Sequence, residues 1–249
     1  MAESSSATSS VAPQVFPNTH WSVVLTAGLN DTTRAHAALS RLCETYWFPL
    51  YAYARRRGNS PEDAQDFTQA FFAQLIEHNW VARADRQKGR FRSFLLMAMS
   101  RFLANEWDKA RTLKRGGQVE LVPLHLDTAE TRYAQEPANT STPEQAFEKQ
   151  WAITLLDEVL ERLRAEYEHD GKAELFTTLK PCLIGSRETQ PYAALAAELG
   201  MSEGAVKVAA FRLRERYRER LQAEVARTVA SPAEVGSELR HLCRVLACG

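Results

Sequence analysis

Residues 192–216, which read YAALAAELGMSEGAVKVAAFRLRER, are the most informative stretch of this chain. They predict two short helices joined by a turn at Gly200, because glycine takes the backbone conformation that a tight turn requires. Ser202 is a natural N-cap for the second helix. Ala196 and Val206 would let the two helices pack closely, as in a DNA-binding helix-turn-helix.

The second of these helices divides into two stripes. The predicted buried stripe consists of Val206, Ala209, Ala210, Leu213 and Tyr217. The candidate DNA-contacting residues lie at the helix start or on the opposite stripe: Ser202, Glu203, Gly204, Lys207, Val208, Phe211, Arg212 and Arg214. Lysine and arginine there can bind phosphates or guanine edges. Two alternatives remain: Glu203 as a helix-start acid only, and Phe211 as a packing residue.

Composition excludes several classes of protein. With 249 residues, 45% apolar residues and 25% charged residues, the chain resembles an ordinary soluble protein of one or two domains. No apolar run approaches about 18 residues, so no membrane span and no membrane partner are predicted. Residues 1–15, which begin MAESSSATSSVAPQ, predict a disordered tail because they lack the basic start and apolar core of an export signal.

The four cysteines, Cys43, Cys182, Cys243 and Cys248, form no CxxC pair. A closed metal site needs more ligands at closer spacing, so we predict neither a metal nor a cofactor. Scattered thiols suit a reducing cytoplasm, which is the predicted location.

Charge is distributed in blocks although the formal net charge is zero. Residues 83–115 hold ten Lys and Arg against three acids, whereas residues 119–174 hold five against thirteen. A basic block favours a nucleic-acid partner, which the net charge alone would not indicate.

Helical periodicity dominates the chain and strand patterns are sparse, so an all-α fold is predicted. The expected helices are near 19–28, 34–57, 61–78, 91–114, 143–168, 172–184, 190–199, 203–228 and 232–247. Periodicity fails over 116–142, where VELVPLHLD offers one short extended segment. We therefore expect two helical domains, 16–115 and 143–249, joined by a linker over 116–142.

Two stretches of the first predicted domain carry candidate contacts. The helix that starts at Pro61 has one apolar stripe of Ala64, Phe67, Phe71 and Leu75, with acidic and amide side chains on another face. The following loop, HNWVARADRQKGRFRSF, interleaves aromatic and basic residues, a combination that suits melted DNA. The alternative is that the aromatic residues are core and the charged residues only face solvent.

Three segments in this order resemble bacterial sigma-70 family factors of the extracytoplasmic-function (ECF) group. SPEDAQDFTQAFFAQL is similar to region 2.2, GRFRSFLLMAMSRFLANEWDKARTLKR to regions 2.3–2.4, and YAALAAELGMSEGAVKVAAFRLRERYRERL to region 4. The resemblance covers roughly 35–115 and 150–225. It implies a factor that binds core RNA polymerase through the β′ clamp helices and the β flap and directs initiation at promoter DNA.

The resemblance also assigns residues. Asp63, Asp66, Gln69 and Phe72 would dock on the polymerase, although Ala70 replaces the acid that usually follows the glutamine. Contacts to the −10 element would come from Trp80, Arg83, Arg86, Lys88, Arg90, Arg92, Arg101, Asn105, Trp107, Lys109 and Arg111. The helix-turn-helix residues given above would bind the −35 element.

Three segments depart from the family pattern. EYEHDGKAELFTTLKPCLIGSRETQ is not the usual start of region 4, so its first helices can be rearranged. FPNTHWSVVLTAG and SPAEVGSELRHLCRVL are added at the two ends, as packing elements or as regulators. Regulation by an anti-sigma factor or by a kinase stays open.

Two other classes of function compete with this one. A helix-turn-helix regulator that acts without core polymerase would explain residues 192–216 but not residues 61–114. An enzyme is not expected, since the chain lacks a P-loop, a GxSxG motif, a HExxH motif and a glycine-rich nucleotide fingerprint.

Overall fold

The computed structural model describes residues 21–28, 33–112, 126–134, 142–184 and 191–247. Within these ranges the protein is helical and contains no strand, so the predicted all-α fold is confirmed for the part described. The helices are α1 (Trp21–Ala27), α2 (Thr33–Arg56), α3 (Pro61–Glu77), α4 (Phe91–Thr112), α5 (Leu126–Ala134), α6 (Pro143–His169), α7 (Ala173–Leu179), α8 (Pro181–Ile184), α9 (Tyr192–Leu199), α10 (Glu203–Thr228) and α11 (Val235–Ala247). Short 3₁₀ turns occupy Trp80–Arg83, Arg86–Lys88 and Pro232–Glu234.

Side-chain caps fix the starts of two helices that shape the molecule. The Ser60 hydroxyl accepts the Asp63 N–H at 3.1 Å, and Pro61 occupies the first helical position of α3. At α6, Thr142 and Gln145 form a capping box, in which each side chain accepts the other residue's backbone N–H. Each cap satisfies backbone donors that a helix start leaves without intrahelical partners.

The first core forms around α2, which packs against α1, α3 and the first half of α6. Its fully buried side chains include Leu50, Tyr51, Phe71, Leu75, Leu95, Met99, Leu103 and Phe147. The end of α10 and the helix α11 add Val225 and Leu242 to the same core. The predicted apolar stripe of α3 is confirmed at Ala64, Phe71 and Leu75, which are at most 1% exposed, and the half-buried Phe67 packs against the same core.

The second core lies between the end of α6, the helices α7 to α9 and the first half of α10. Its buried side chains include Leu163, Tyr167, Phe176, Leu179, Leu195, Val206, Ala210 and Leu213. The predicted inward stripe of the helix-turn-helix is therefore confirmed at Val206, Ala210 and Leu213, and Ala209 and Tyr217 pack against it.

Two long helices belong to both cores. Helix α6 buries Phe147 and Trp151 in the first core and Leu163 in the second. Helix α10 begins in the second core and reaches the first at Val225. Between the cores the helices are joined by the ion pair of Arg162 with Glu224.

Two local predictions were wrong. A single helix expected over 172–184 is two helices, α7 and α8, because Pro181 has no N–H to continue the hydrogen-bond ladder. Helix α5 lies where only a linker and a short extended segment were expected. The described end of that segment, 126–127, is already helical, and the rest lies outside the described residues.

Long-range contacts explain why α5 forms although its sequence is weakly periodic. Glu130 accepts hydrogen bonds from the Tyr51 hydroxyl at 2.5 Å and from the Arg55 guanidinium at 2.9 and 3.1 Å. The guanidinium holds the pKa of Glu130 below its ordinary value. Arg132 lies over the Phe48 ring, and Tyr133 packs edge-on against Tyr51. These partners are all on α2, distant in sequence.

The other predicted helices are observed, with ends shifted by a few residues at most. The predicted disordered tail, 1–15, lies outside the described residues, as do residues 16–20 of the added front segment.

Candidate nucleic-acid interface

The exposed face of α3 carries the residues predicted to dock on a partner. Asp63 and Asp66 are exposed, and Gln69 is half-buried. Phe72 is only 5% exposed and packs edge-on against Phe71 in the first core, with ring centroids 5.7 Å apart. Together with the exposed Glu62, which precedes Asp66 by one helical turn, the two aspartates provide negative charge at this face, while Phe72 mainly supports it from beneath.

A cleft between α3 and α4 brings four predicted −10 residues together. It has a volume of about 890 Å³ and is lined by Trp80, Arg83, Arg101 and Asn105, together with the apolar side chains of Phe94, Ala98 and Phe102 and the polar Gln74, Glu106 and Asp108. Arg83, Arg101 and Asn105 are exposed and Trp80 is half-buried. This α3–α4 cleft combines an apolar floor with two cations, two amides and two carboxylates.

Helical geometry explains why α4 supplies most of the cleft. Phe94, Ala98, Arg101 and Asn105 are three or four residues apart, so they lie on one face of the helix. Trp80 enters from the 3₁₀ turn after α3 and packs against Phe71 and His78, with centroid distances of 6.2 and 6.0 Å. The turn begins at Asn79, whose φ of 45° is left-handed.

Two other predicted −10 residues, Arg90 and Arg92, are held in a charged cluster with α6 and α11. Arg92 is 2% exposed; it donates to Glu148 at 2.8 Å and contacts Glu238 at 2.5 Å. Its guanidinium also lies 3.9 Å from the centre of the Trp151 ring. Arg90 pairs with the second Glu238 oxygen at 2.5 Å. In this arrangement Arg92 presents no surface to DNA.

The remaining predicted −10 residues are placed less closely together. Lys88 is exposed and lies 3.5 Å from Asp85. Trp107 donates to the Asn59 side chain at 3.3 Å and stacks beneath Arg57 at 4.9 Å. The side chains of Arg86, Lys109 and Arg111 lie outside the described part of the structure.

The turn of the helix-turn-helix has the predicted geometry. Gly200 ends α9 in a left-handed conformation with φ +61°, and its N–H and that of Met201 both reach the Ala196 carbonyl. The Ser202 hydroxyl then accepts the Ala205 N–H at 3.2 Å as the N-cap of α10. A glycine fits here because an added Cβ would be strained at this backbone angle.

The predicted contact residues of α10 are exposed, but several also hold the motif together. Lys207 pairs with Glu203 at 2.6 Å, a bond that raises the pKa of the lysine and keeps it charged. Arg214 donates to the Cys182 carbonyl at 3.1 Å and to the Tyr192 hydroxyl at 3.0 Å. Gly204, Val208, Phe211 and Arg212 are exposed as well.

Sequence reasoning missed Glu148, Glu238 and Phe102, whereas Phe94 ends the aromatic and basic segment quoted above. The two carboxylates lie 56 and 146 residues from Arg92, so no local pattern reveals the cluster. Phe102 follows Phe94 and Ala98 at four-residue spacing on α4, and this spacing could have identified it.

One segment of this chain is similar to a known protein family. Residues 43–112 match the family model for Sigma-70 region 2, which covers α3, the α3–α4 cleft and α4. Factors of the sigma-70 family initiate transcription and are not enzymes. Neither the curated proteins nor the solved structures contain a match to this chain. Among the described helices, none combines the length and the apolarity that crossing a membrane requires.

Proposed function

We propose that this chain, a sigma-70 family member by its region 2, is an ECF sigma factor that binds core RNA polymerase and directs initiation at promoters with −10 and −35 elements. The observation that carries the proposal is the match at 43–112, which coincides with the α3 face and the α3–α4 cleft. In this proposal residues 16–115 bind polymerase and the −10 element, and residues 143–249 bind the −35 element. Of the residues between them, α5 packs on α2.

The α3 face would dock on the β′ clamp helices. Asp63 and Asp66 are exposed on a helix whose start is fixed by a proline and a serine cap, so their carboxylates are presented by a rigid element. Ala70 offers no charge beside Gln69. The electrostatic part of the contact would therefore rest on the two aspartates and the neighbouring Glu62.

The α3–α4 cleft would receive an unstacked base of the −10 element. Its floor of Phe94, Phe102 and Trp80 offers apolar and aromatic surface on which a base can stack. Arg83 and Arg101 at the rim can neutralise the flanking phosphates, and Asn105 can donate to or accept from a base edge. Its volume of about 890 Å³ is in the range of small-molecule sites.

The helix-turn-helix would bind the −35 element as duplex DNA. Helix α10 would enter the major groove with Lys207 and Arg212 near the phosphates. Arg214 would act mainly as a brace, because its guanidinium already bonds α8 and α9 through Cys182 and Tyr192.

The test is transcription with purified core RNA polymerase over a library of promoters. The full chain should co-elute with the core enzyme and direct defined run-off transcripts. Binding to duplex DNA without binding to core polymerase would instead favour a regulator that acts alone.

A charge reversal tests the docking face. Asp66→Arg should weaken core binding and leave the helical content unchanged, because the side chain is exposed. Glu174→Arg, which reverses an exposed acid at the start of α7, is the matched control and should bind core polymerase like the unchanged protein. Equal affinity of both variants would remove the α3 face from the proposal.

A further inference from the structure

The outermost row of α10 is apolar at its centre. Phe211 is 61% exposed and Val208 is 49% exposed, and both lie opposite the buried side chains of Val206 and Leu213. Met201, just before the helix, is 37% exposed. Phe211, Val208 and Met201 line one open cleft, and a contiguous apolar patch of this kind marks a surface on which another molecule binds.

Cations lie on both sides of this apolar row. Lys207 and Arg214 lean toward α9, where the Lys207 ammonium is 5.9 Å from the Tyr192 ring centre and Arg214 bonds the Tyr192 hydroxyl. On the other side Arg212 and Arg216 are exposed, and Arg216 lies 5.5 Å over the Tyr167 ring of α6. An apolar strip between two cationic margins matches a major groove, in which base edges lie between two rows of phosphates.

Among the four bases, only thymine presents a methyl group in the major groove. An apolar side chain there gains by burying that methyl, and a G·C pair offers it no such apolar group in the groove. From Gly204 to Phe211 the helix rises about 10 Å, which corresponds to about three base-pair steps. Gly204 adds no side chain, and nothing lies within 4 Å of a Cβ built there, so it leaves room for close approach.

We propose that Val208 and Phe211 are specificity-determining residues that read thymine methyl groups, so that the duplex element bound by α10 contains a short run of A·T pairs. The inference deepens the proposed function, since that element would be the −35 element. The ligand would be duplex DNA that presents C5-methyl groups on neighbouring base pairs, with phosphates on both sides.

The probe is a duplex selected from a random library, once with the full chain and once with the chain bound to core polymerase. Each thymine of the selected element is then replaced by deoxyuridine, which removes the methyl and keeps the hydrogen-bonding edge. Loss of one buried methyl should lower the affinity about fourfold, from the usual free energy of burying one such group.

Two variants assign the methyl contacts to residues. Phe211→Ala should weaken binding to the thymine duplex, and at one position it should make the affinities for thymine and deoxyuridine equal. Val208→Ala should have the same two effects at a neighbouring position. Both side chains are exposed, so circular dichroism should show unchanged helical content. Leu25→Ala on α1, where Leu25 is 62% exposed, is the matched control and should preserve both the affinity and the deoxyuridine effect.

Several results would overturn the inference. These are a selected element of G·C pairs, equal affinity for thymine and deoxyuridine duplexes, a deoxyuridine effect that survives in both variants, or no duplex selected by either form of the protein. Failure of the proposed function looks different. If the protein does not bind core polymerase but its DNA affinity depends on the thymine methyl groups, only the proposed polymerase role is rejected. If it transcribes at full strength from promoters that contain deoxyuridine, only the proposed reading of the methyl groups is rejected.

Discussion

At the scale of single residues, the charge cluster around the buried Arg92 makes the stability of the protein depend on individual side chains. Glu238 is fully buried and faces both Arg90 and Arg92, while Glu148 takes a second bond from Arg92 and one from His241 at 3.0 Å. Two arginines thus face two carboxylates, so the buried charges are balanced. Removing Glu238 takes away the carboxylate that faces Arg90 and leaves the buried Arg92 with Glu148 alone.

Glu238→Ala should therefore destabilise the protein by about 3 kcal/mol, because breaking a buried ion pair costs far more than the pair contributes. The free energy of unfolding from urea titration measures this. Arg244→Ala, at an exposed position of the same helix, is the control and should change stability by less than about 0.5 kcal/mol. Equal stability of the two variants would show that the cluster adds nothing to folding.

Glu158 makes the stability depend on pH. Burial raises the pKa of this carboxyl from an ordinary value of 4.5 to about 7, and the nearest cation, Arg162, is 3.9 Å away and offsets the shift only in part. Between these two values the unfolded chain has lost the proton and the folded protein keeps it. This residue therefore lowers the stability as pH rises from 4.5 to 7, and no further above that.

Glu158→Gln should remove this dependence. We expect the variant to be more stable than the unchanged protein at pH 8, by about 1 to 3 kcal/mol, and similar to it near pH 4.5. Urea unfolding at both pH values gives the comparison. Glu168→Gln, on an exposed position of α6, should show no such difference. If Glu158→Gln changes the free energy of unfolding by the same amount at both pH values, the cause is altered packing and not protonation.

At the scale of elements, the sequence predicted what local rules control. Caps, prolines and apolar stripes gave the ends of α3, α6 and α10 and the inward face of the helix-turn-helix. It could not predict α5, whose contacts with Tyr51 and Arg55 cross 75 or more residues. In the candidate site, the sequence identified the basic and aromatic residues. It could not show which of them line the open cleft and which are buried in ion pairs, because the carboxylates that pair with Arg90 and Arg92 come from α6 and α11.

Two glycines of the helix-turn-helix give a matched pair of predictions. Gly200→Ala should cost about 1 to 2 kcal/mol, because a side chain strains the left-handed turn. Gly204→Ala should instead stabilise the protein by about 0.5 kcal/mol, because alanine loses less backbone freedom in a helix and the added methyl meets no atom within 4 Å. Thermal unfolding of the two variants compares them directly. A similar shift for both would contradict the assignment of Gly200 to the turn and Gly204 to the helix.

At the scale of the whole molecule, the two cores share α6 and α10. A helix that is folded at one end and unfolded at the other leaves broken hydrogen bonds at the boundary, and the Arg162–Glu224 pair joins both helices at that boundary. The second core contains no tryptophan among its described residues, whereas Trp47, Trp80 and Trp151 belong to the first. Tryptophan fluorescence therefore reports on the first core, and far-ultraviolet circular dichroism reports on all helices.

We expect the cores to unfold together. Leu163→Ala removes a fully buried side chain from the second core and should cost about 2 to 5 kcal/mol. If the long helices couple the cores, this variant should move the fluorescence transition of the first core by the same amount as the circular dichroism transition. Val208→Ala, on the exposed face of α10, is the control and should move neither. A fluorescence midpoint that stays in place while part of the helical signal melts early would show that each core folds on its own, with α6 and α10 acting as connections between two independent units.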